Sequence, residues 1–241
     1  MRKITITIAV AVMCMPGVYA QPQLEWQLVQ PGIWKATVGR EAAISYINLM
    51  QNVPQTAALS KLPASKFPLE KEDITVNISN GQVSLRFPLD EEETIFGLGL
   101  NFKTVNQRGR ILNLHVDHYG GVDNGRTHAP VPFYVSSKGY GVLIDAAQYI
   151  NVYAGTGVRK DAKHPPELKD RNTDKTWEAE PYSDAMEINI PGETVVIYIF
   201  GGPTPMNVVQ RYNLFNGGGS CLRNGALVLR REYRHCLRKT I

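Results

Sequence analysis

The stretch Phe133-Tyr134-Val135-Ser136-Ser137-Lys138-Gly139-Tyr140-Gly141-Val142-Leu143-Ile144-Asp145 decides the fold. Two runs of aromatic and β-branched residues flank Ser137-Lys138-Gly139, a turn whose glycine tolerates positive φ, so the stretch reads as two antiparallel strands joined by a hairpin. Asn80-Gly81 repeats the signal between Ile78 and Val83, because a type I′ turn needs positive φ at both central residues. Working outward, short segments with period-two alternation or β-branched enrichment fill the chain from Leu24 to Phe200. They are Leu24 to Val29, Ile33 to Val38, Ala43 to Leu49, Ile74 to Ile78, Val83 to Phe87, Thr94 to Leu98, Val131 to Ser136, Gly141 to Asp145, Ile150 to Ala154, Ala185 to Ile190 and Thr194 to Phe200. Many short strands, with no helical stripe between them, predict an antiparallel β-sandwich. Arg159 to Lys175 is almost devoid of apolar residues and reads as an exposed loop. After Phe200 the pattern changes: Thr204 can cap, Pro205 suits the first helical position, Val208, Val209, Tyr212 and Phe215 keep helical spacing, and Gly217 can stop the helix. One C-terminal helix is therefore expected.

The 241 residues are 43% hydrophobic and 20% charged, which excludes a disordered or collagen-like chain. Three cysteines exclude a disulfide scaffold, so the fold must come from packing. Arg2 and Lys3 precede an apolar run from Ile4 to Met13, and Val18-Tyr19-Ala20 offers small residues at signal-peptidase spacing. Residues 1–20 are thus expected to be a signal peptide, and the protein to be exported, periplasmic or secreted. The run is too short for a stable bilayer anchor, and no later segment reaches the roughly 20 apolar residues of a membrane span. The net charge of +4 invites a polyanion-binding reading. It belongs to the tail: six basic residues against Glu232 give residues 221–241 a balance of +5, which leaves −1 for all that precedes them. The expected body, residues 21–217, is mildly acidic and has no basic face for nucleic acid.

Three blocks in order carry a resemblance: Phe96-Gly97-Leu98-Gly99, then Pro132 to Leu143, then Tyr198-Ile199-Phe200-Gly201-Gly202-Pro203-Thr204-Pro205 with the helix through Val209-Gln210-Arg211-Tyr212. From roughly Leu24 to Gly217 the chain resembles the N-terminal, galactose-mutarotase-like β-sandwich of glycoside hydrolase family 31. The resemblance implies a sandwich that packs on a (β/α)₈ barrel carrying α-glycosidase chemistry through two aspartates. A barrel takes about 250 residues, so the chain alone is expected to lack catalytic residues and activity. It also implies an α-linked oligosaccharide as the substrate of the intact enzyme, bound through the barrel, and no cofactor.

In the family, a loop of the sandwich reaches over the barrel and helps to shape the sugar pocket through a carboxylate and nearby polar groups. The stretch from Asn113 to Gly121, continuing to Asn124 and His128, occupies the matching place. The resemblance therefore implies that Asp117, His118, Asn124 and His128 contact substrate. A carboxylate and aromatics suit a sugar, whose hydroxyls need acceptors while its C–H face packs on apolar surface. His115, Asp117, His118 and His128 could instead be metal ligands by their spacing, but nothing makes them converge, and no metal is expected. A mutarotase-type acid–base site and a self-standing carbohydrate-binding module are the alternative readings of the whole chain. Asp90-Glu91-Glu92-Glu93 reads as a solvated turn with no role, and Trp26, Trp34 and Trp177 as core. Leu100 departs from the family, where a glutamate frequently follows the Gly-Leu-Gly turn.

Residues 218–241 are read separately. Taken in a displaced frame, codons for Ser220 to Gly225 can encode Leu-Pro-Pro-Lys-Trp, and those through Leu229 can encode Gly-Leu-Gly-Phe. That string resembles the family's passage from sandwich into barrel, so residues 221–241 are expected to be out-of-frame translation.

Overall fold

Successive side chains of a strand point to opposite faces, so a strand with one wet face alternates and a strand covered on both faces does not. Both kinds occur in the computed structural model, which describes residues 24–40, 45, 47, 52–101, 103–116, 127, 129–156, 170, 172, 173, 175 and 182–218. Among these residues the strands are β1 (Gln27–Gln30), β2 (Ile33–Val38), β3 (Thr75–Ser79), β4 (Gln82–Pro88), β5 (Ile95–Gly97), β6 (Arg110–Leu114), β7 (Phe133–Ser136), β8 (Tyr140–Asp145), β9 (Ile150–Thr156), β10 (Tyr182–Pro191) and β11 (Val195–Gly201). Helices are α1 (Thr56–Leu59), a 3₁₀ turn at Lys71–Asp73, and α2 (Pro205–Phe215). One sheet runs β1-β2-β11-β8-β7-β5 and the other β3-β4-β10-β9-β6, with all pairs antiparallel.

In the five-stranded sheet β4 alternates cleanly, whereas in β10 Ala185 to Ile188 are all buried. Val83, Leu85 and Phe87 of β4 face inward with Met186, Ile188 and Ile190 of β10 and Val152 of β9. They meet Val142, Ile144, Ile197 and Ile199 from the six-stranded sheet in the core between the layers. The six-stranded sheet has a second covered face. There Phe133, Leu143, Tyr198 and Phe200 pack under Val208 and Phe215 of α2 and Leu59 of α1. Phe133 stacks on Tyr212 at 3.8 Å, and Phe200 meets Phe133 edge-on at 5.6 Å. This double cover explains why Val195 to Phe200 is an unbroken apolar run.

The α2 boundaries follow from local chemistry. The Thr204 hydroxyl accepts from the Asn207 amide, Pro205 needs no N–H partner in the first turn, and Gly217 at φ +89° lets Gly218 N–H donate back to Asn213 O at 2.7 Å. Arg211, fully buried on this helix, donates to Gly201 O and to Pro63 O (2.7 Å), tying α2 to the end of β11 and to the segment before β3. Gly32 stands at φ +73°, where a Cβ would lie 2.7 Å from the Arg211 guanidinium carbon, so the β1–β2 turn has room for glycine only.

The expected sandwich and closing helix are present, with strand ends moved by a few residues. Asn80 and Gly81 have φ of 53° and 70°, as a type I′ turn requires. Three readings need correction. Ile47 is helical rather than extended, and Ala43 to Leu49 otherwise lies, Ser45 apart, outside the described residues. Arg110–Leu114 forms β6 where no strand is expected and where the loop is read from Asn113, because pairing with β9 buries Leu112 and Leu114. Glu93 is buried rather than solvated, for the reason given below. Trp26 and Trp34 pack on Phe67 at the core margin, while Trp177 lies outside the described residues.

Candidate functional site

The β6–β7 connection leaves the five-stranded sheet after Leu114 and enters the six-stranded sheet at Phe133. Asp117, His118, Asn124 and His128 all lie outside the described residues, so what can be described is the frame that holds the two ends of their connection.

At the leaving end, the His115 ring packs on Tyr149 at 4.6 Å between centroids. At the returning end, the buried Thr127 hydroxyl donates to Leu100 O at 2.5 Å and accepts from Ala129 N–H at 3.3 Å. Leu100 N–H donates to Ala129 O (3.1 Å) and Leu98 N–H to Phe133 O (2.8 Å). The returning chain is thus clamped to the turn after β5. That turn has an unusual backbone: Gly97, Leu98 and Gly99 stand at φ of 102°, 62° and 96°. Glycine does this freely, whereas the leucine is strained by about 1–2 kcal/mol. Burial of its side chain, only 2% exposed, offsets the strain. A Cβ at Gly99 would lie 2.3 Å from Ala129 O, so the close approach of the two segments demands glycine there. Asn101 closes the turn by donating through Nδ2 to Gly97 O and Gly99 O. Leu100 itself is exposed.

Behind the turn lies a buried polar hub that the sequence reading missed. One Glu93 carboxylate oxygen accepts from the Ser136 hydroxyl and, at 2.6 Å, from Tyr140 OH; the other accepts from Asp90 N–H at 2.9 Å. Arg108 donates to Asp90 O and Glu93 O at 2.5 and 2.7 Å. The hub joins the start of β5 to the β7–β8 hairpin, and so fixes the turn that clamps the connection. The missed signal was phase: Glu93 is two residues before Ile95, on the same inward face, whereas Asp90, Glu91 and Glu92 are exposed. Burial pushes the Tyr134 and Tyr140 hydroxyls well above the ordinary value of 10.0, and the Glu93 charge adds to both shifts, so both stay protonated. Tyr140 uses its proton on Glu93; the Tyr134 hydroxyl, fully buried, has no partner. Glu93, Arg108, Ser136 and Tyr140 are all buried, and their bonds position the turn. Among the described residues, no group of His, Cys, Asp and Glu side chains could hold a metal ion, and no helix is long and apolar enough to cross a membrane.

The profile of the glycosyl hydrolase 31 N-terminal galactose mutarotase-like domain matches residues 41–152, which include the turn, the hub and the whole connection. An alpha-xylosidase, XylQ, of Lactiplantibacillus pentosus is 26% identical over 145 residues, spanning 60% of this chain and 15% of that protein. A family 31 dextranase of Flavobacterium johnsoniae, solved with isomaltotriose, superposes with a TM-score of 0.53 at 16% identity, over 80% of this chain and 25% of its own. The cycloalternan-forming enzyme of Listeria monocytogenes, solved with a pentasaccharide, superposes with a TM-score of 0.50 at 13% identity, over 83% of this chain and 20% of its own. The chain therefore spans between about a seventh and a quarter of the length of these proteins.

Proposed function

Starting from a chain that carries the N-terminal galactose mutarotase-like domain of glycosyl hydrolase 31, we propose that it is the substrate-pocket-shaping sandwich of an exported α-glycosidase. Its part is to pack on a catalytic barrel and to hold the β6–β7 connection, with Asp117, His118, Asn124 and His128, against the sugar. The observation that carries this reading is the clamp. Leu98 held at positive φ is strained local geometry beside a glycine-only approach to Ala129, and such strain persists where it positions something. On this reading, Asp117 would accept from sugar hydroxyls, with the histidines and Asn124 completing the polar rim, while both catalytic carboxylates would come from the barrel. The intact enzyme's substrate would be an α-linked oligosaccharide, and the chain by itself would not turn it over.

The displaced-frame reading of residues 221–241 supplies the test. The coding DNA is read from codon 217 onward, the frame is restored by a single-base change, and both products are assayed on chromogenic α-glucosides and α-xylosides. The restored protein is expected to hydrolyse one of them, and its Asp117→Ala variant to lose at least tenfold in kcat/KM. Hydrolysis by the 241-residue chain that depends on its own carboxylates would overturn the proposal, as would a displaced frame that does not encode a barrel.

A further inference from the structure

The outer face of the five-stranded sheet carries a feature that the clamp does not use. Cross-strand register aligns Asn77 of β3 with Ser84 of β4, Ser84 with Asn189 of β10, Asn189 with Asn151 of β9, and Asn151 with Asn113 of β6. The row crosses all five strands. Its inward neighbours, Val76, Val83, Leu85, Ile188, Ile190, Val152, Leu112 and Leu114, are buried, while Asn77 and Asn151 are exposed and Ser84, Asn189 and Asn113 half-buried. With strands about 4.8 Å apart, the five positions extend over about 19 Å.

Asparagine is among the residues depleted from strands. Propensity therefore does not explain four of them at one level of adjacent strands, and a local rule broken in a coherent pattern marks a site. Each amide offers two donors and an acceptor. No side chain of Asn77, Ser84, Asn189 or Asn151 bonds to another described residue, so their capacity faces outward. The row has no formal charge to attract a polyanion; one level along, Arg86 of β4 and the buried Glu187 of β10 stand in register with each other, and among the described residues of that level the half-buried Tyr153 and the exposed Ile111 supply the apolar surface. That is too little for the aromatic anchors of a protein interface. It suits a ligand with many hydroxyls and a narrow C–H face.

We infer that this amide row is a second carbohydrate site, separate from the β6–β7 connection, along which a neutral α-glucan chain lies across the strands. The α-linkage rests on the function proposed above; the neutral, polyhydroxylated chemistry rests on the row itself. Affinity electrophoresis of the full chain in gels containing dextran or soluble amylose tests it. Retardation by at least one glucan is expected, and a loss of at least tenfold in affinity when Asn77, Asn151 and Asn189 are all replaced by alanine. Titration with isomaltotriose, followed through the side-chain amide resonances of the unmodified protein, should shift those asparagines first. An unretarded wild-type chain, unchanged retardation of the triple variant, or unmoved asparagine resonances would overturn the inference. Perturbation confined to Asn101 and residues 97–101 would do so while leaving the proposed function standing. Sedimentation supplies the remaining arm: self-association abolished by the triple variant would make the occupant a second copy instead. The restored-frame hydrolysis assay judges the proposed function independently of these outcomes.

Discussion

Two tyrosines on adjacent strands, both buried around Glu93, should respond in opposite directions to losing the same atom. The Tyr134 hydroxyl is enclosed without a partner, while its ring packs edge-on against Phe87 and Tyr140, each at 6.4 Å. Burying an unsatisfied hydroxyl costs about 1–3 kcal/mol. Tyr134→Phe keeps the ring contacts and removes that cost, so it should stabilise the protein by about 1 kcal/mol, or about 2–4 °C in Tm for a domain of this size. Tyr140→Phe deletes a 2.6 Å bond to a buried carboxylate and should destabilise by about 1.5–3 kcal/mol. Both hydroxyls have pKa values raised above 10.0. A raised value favours the protonated form in the folded state, so the stability is fully present below about pH 10 and declines as the pH rises beyond it. Tyr134→Phe removes one of these groups and should make the alkaline decline shallower. Urea unfolding at neutral pH with a constant m-value, repeated between pH 8 and 11, measures all three effects. A Tyr134→Phe variant that loses 1 kcal/mol or more, or the same sign for both variants, would refute the account of the hub.

Three further outcomes are expected from the same unfolding measurements. Glu93→Ala strands the Ser136 and Tyr140 hydroxyls and the Asp90 amide together, and should cost about 3–5 kcal/mol, with Glu93→Gln intermediate because the amide cannot accept at both ends. Two glycine-to-alanine changes at similar φ should differ sharply: Gly81→Ala, with open space around its Cβ position, should cost about 1 kcal/mol, whereas Gly99→Ala drives a methyl onto Ala129 O and should cost several times as much, unpinning the β6–β7 connection as seen by loss of amide protection at Leu100. Thr204→Ala removes the cap of α2 and should cost about 1 kcal/mol, and Thr204→Ser should restore most of it.

Much of the architecture was legible because it is encoded locally. Asn80-Gly81 and Lys138-Gly139 specify tight turns by the φ values they tolerate, and Thr204, Pro205 and Gly217 bracket a helix by satisfying or omitting backbone groups. Near the candidate connection, the legible part was the Phe96-Gly97-Leu98-Gly99 block, whose glycines form the turn that holds the returning chain. Strand β6 escaped notice because five residues with one apolar face look like a loop until a neighbouring strand covers that face.

The sequence by itself determined the strand-rich class, the hairpins, the closing helix and the concentration of positive charge in residues 221–241, since each depends on residues close together in the chain. Only the tertiary structure decided that Glu93 is a buried hub, that Arg211 reaches Gly201 and Pro63, and that asparagines from four strands stand beside one serine in a single row. The reason is physical: a buried polar group is worth what its partners make it worth. Such groups are brought together from strands that are neighbours in the sheet and distant in the chain, as Ser84 and Asn189 are, with their register set by the packing of the opposite, apolar face.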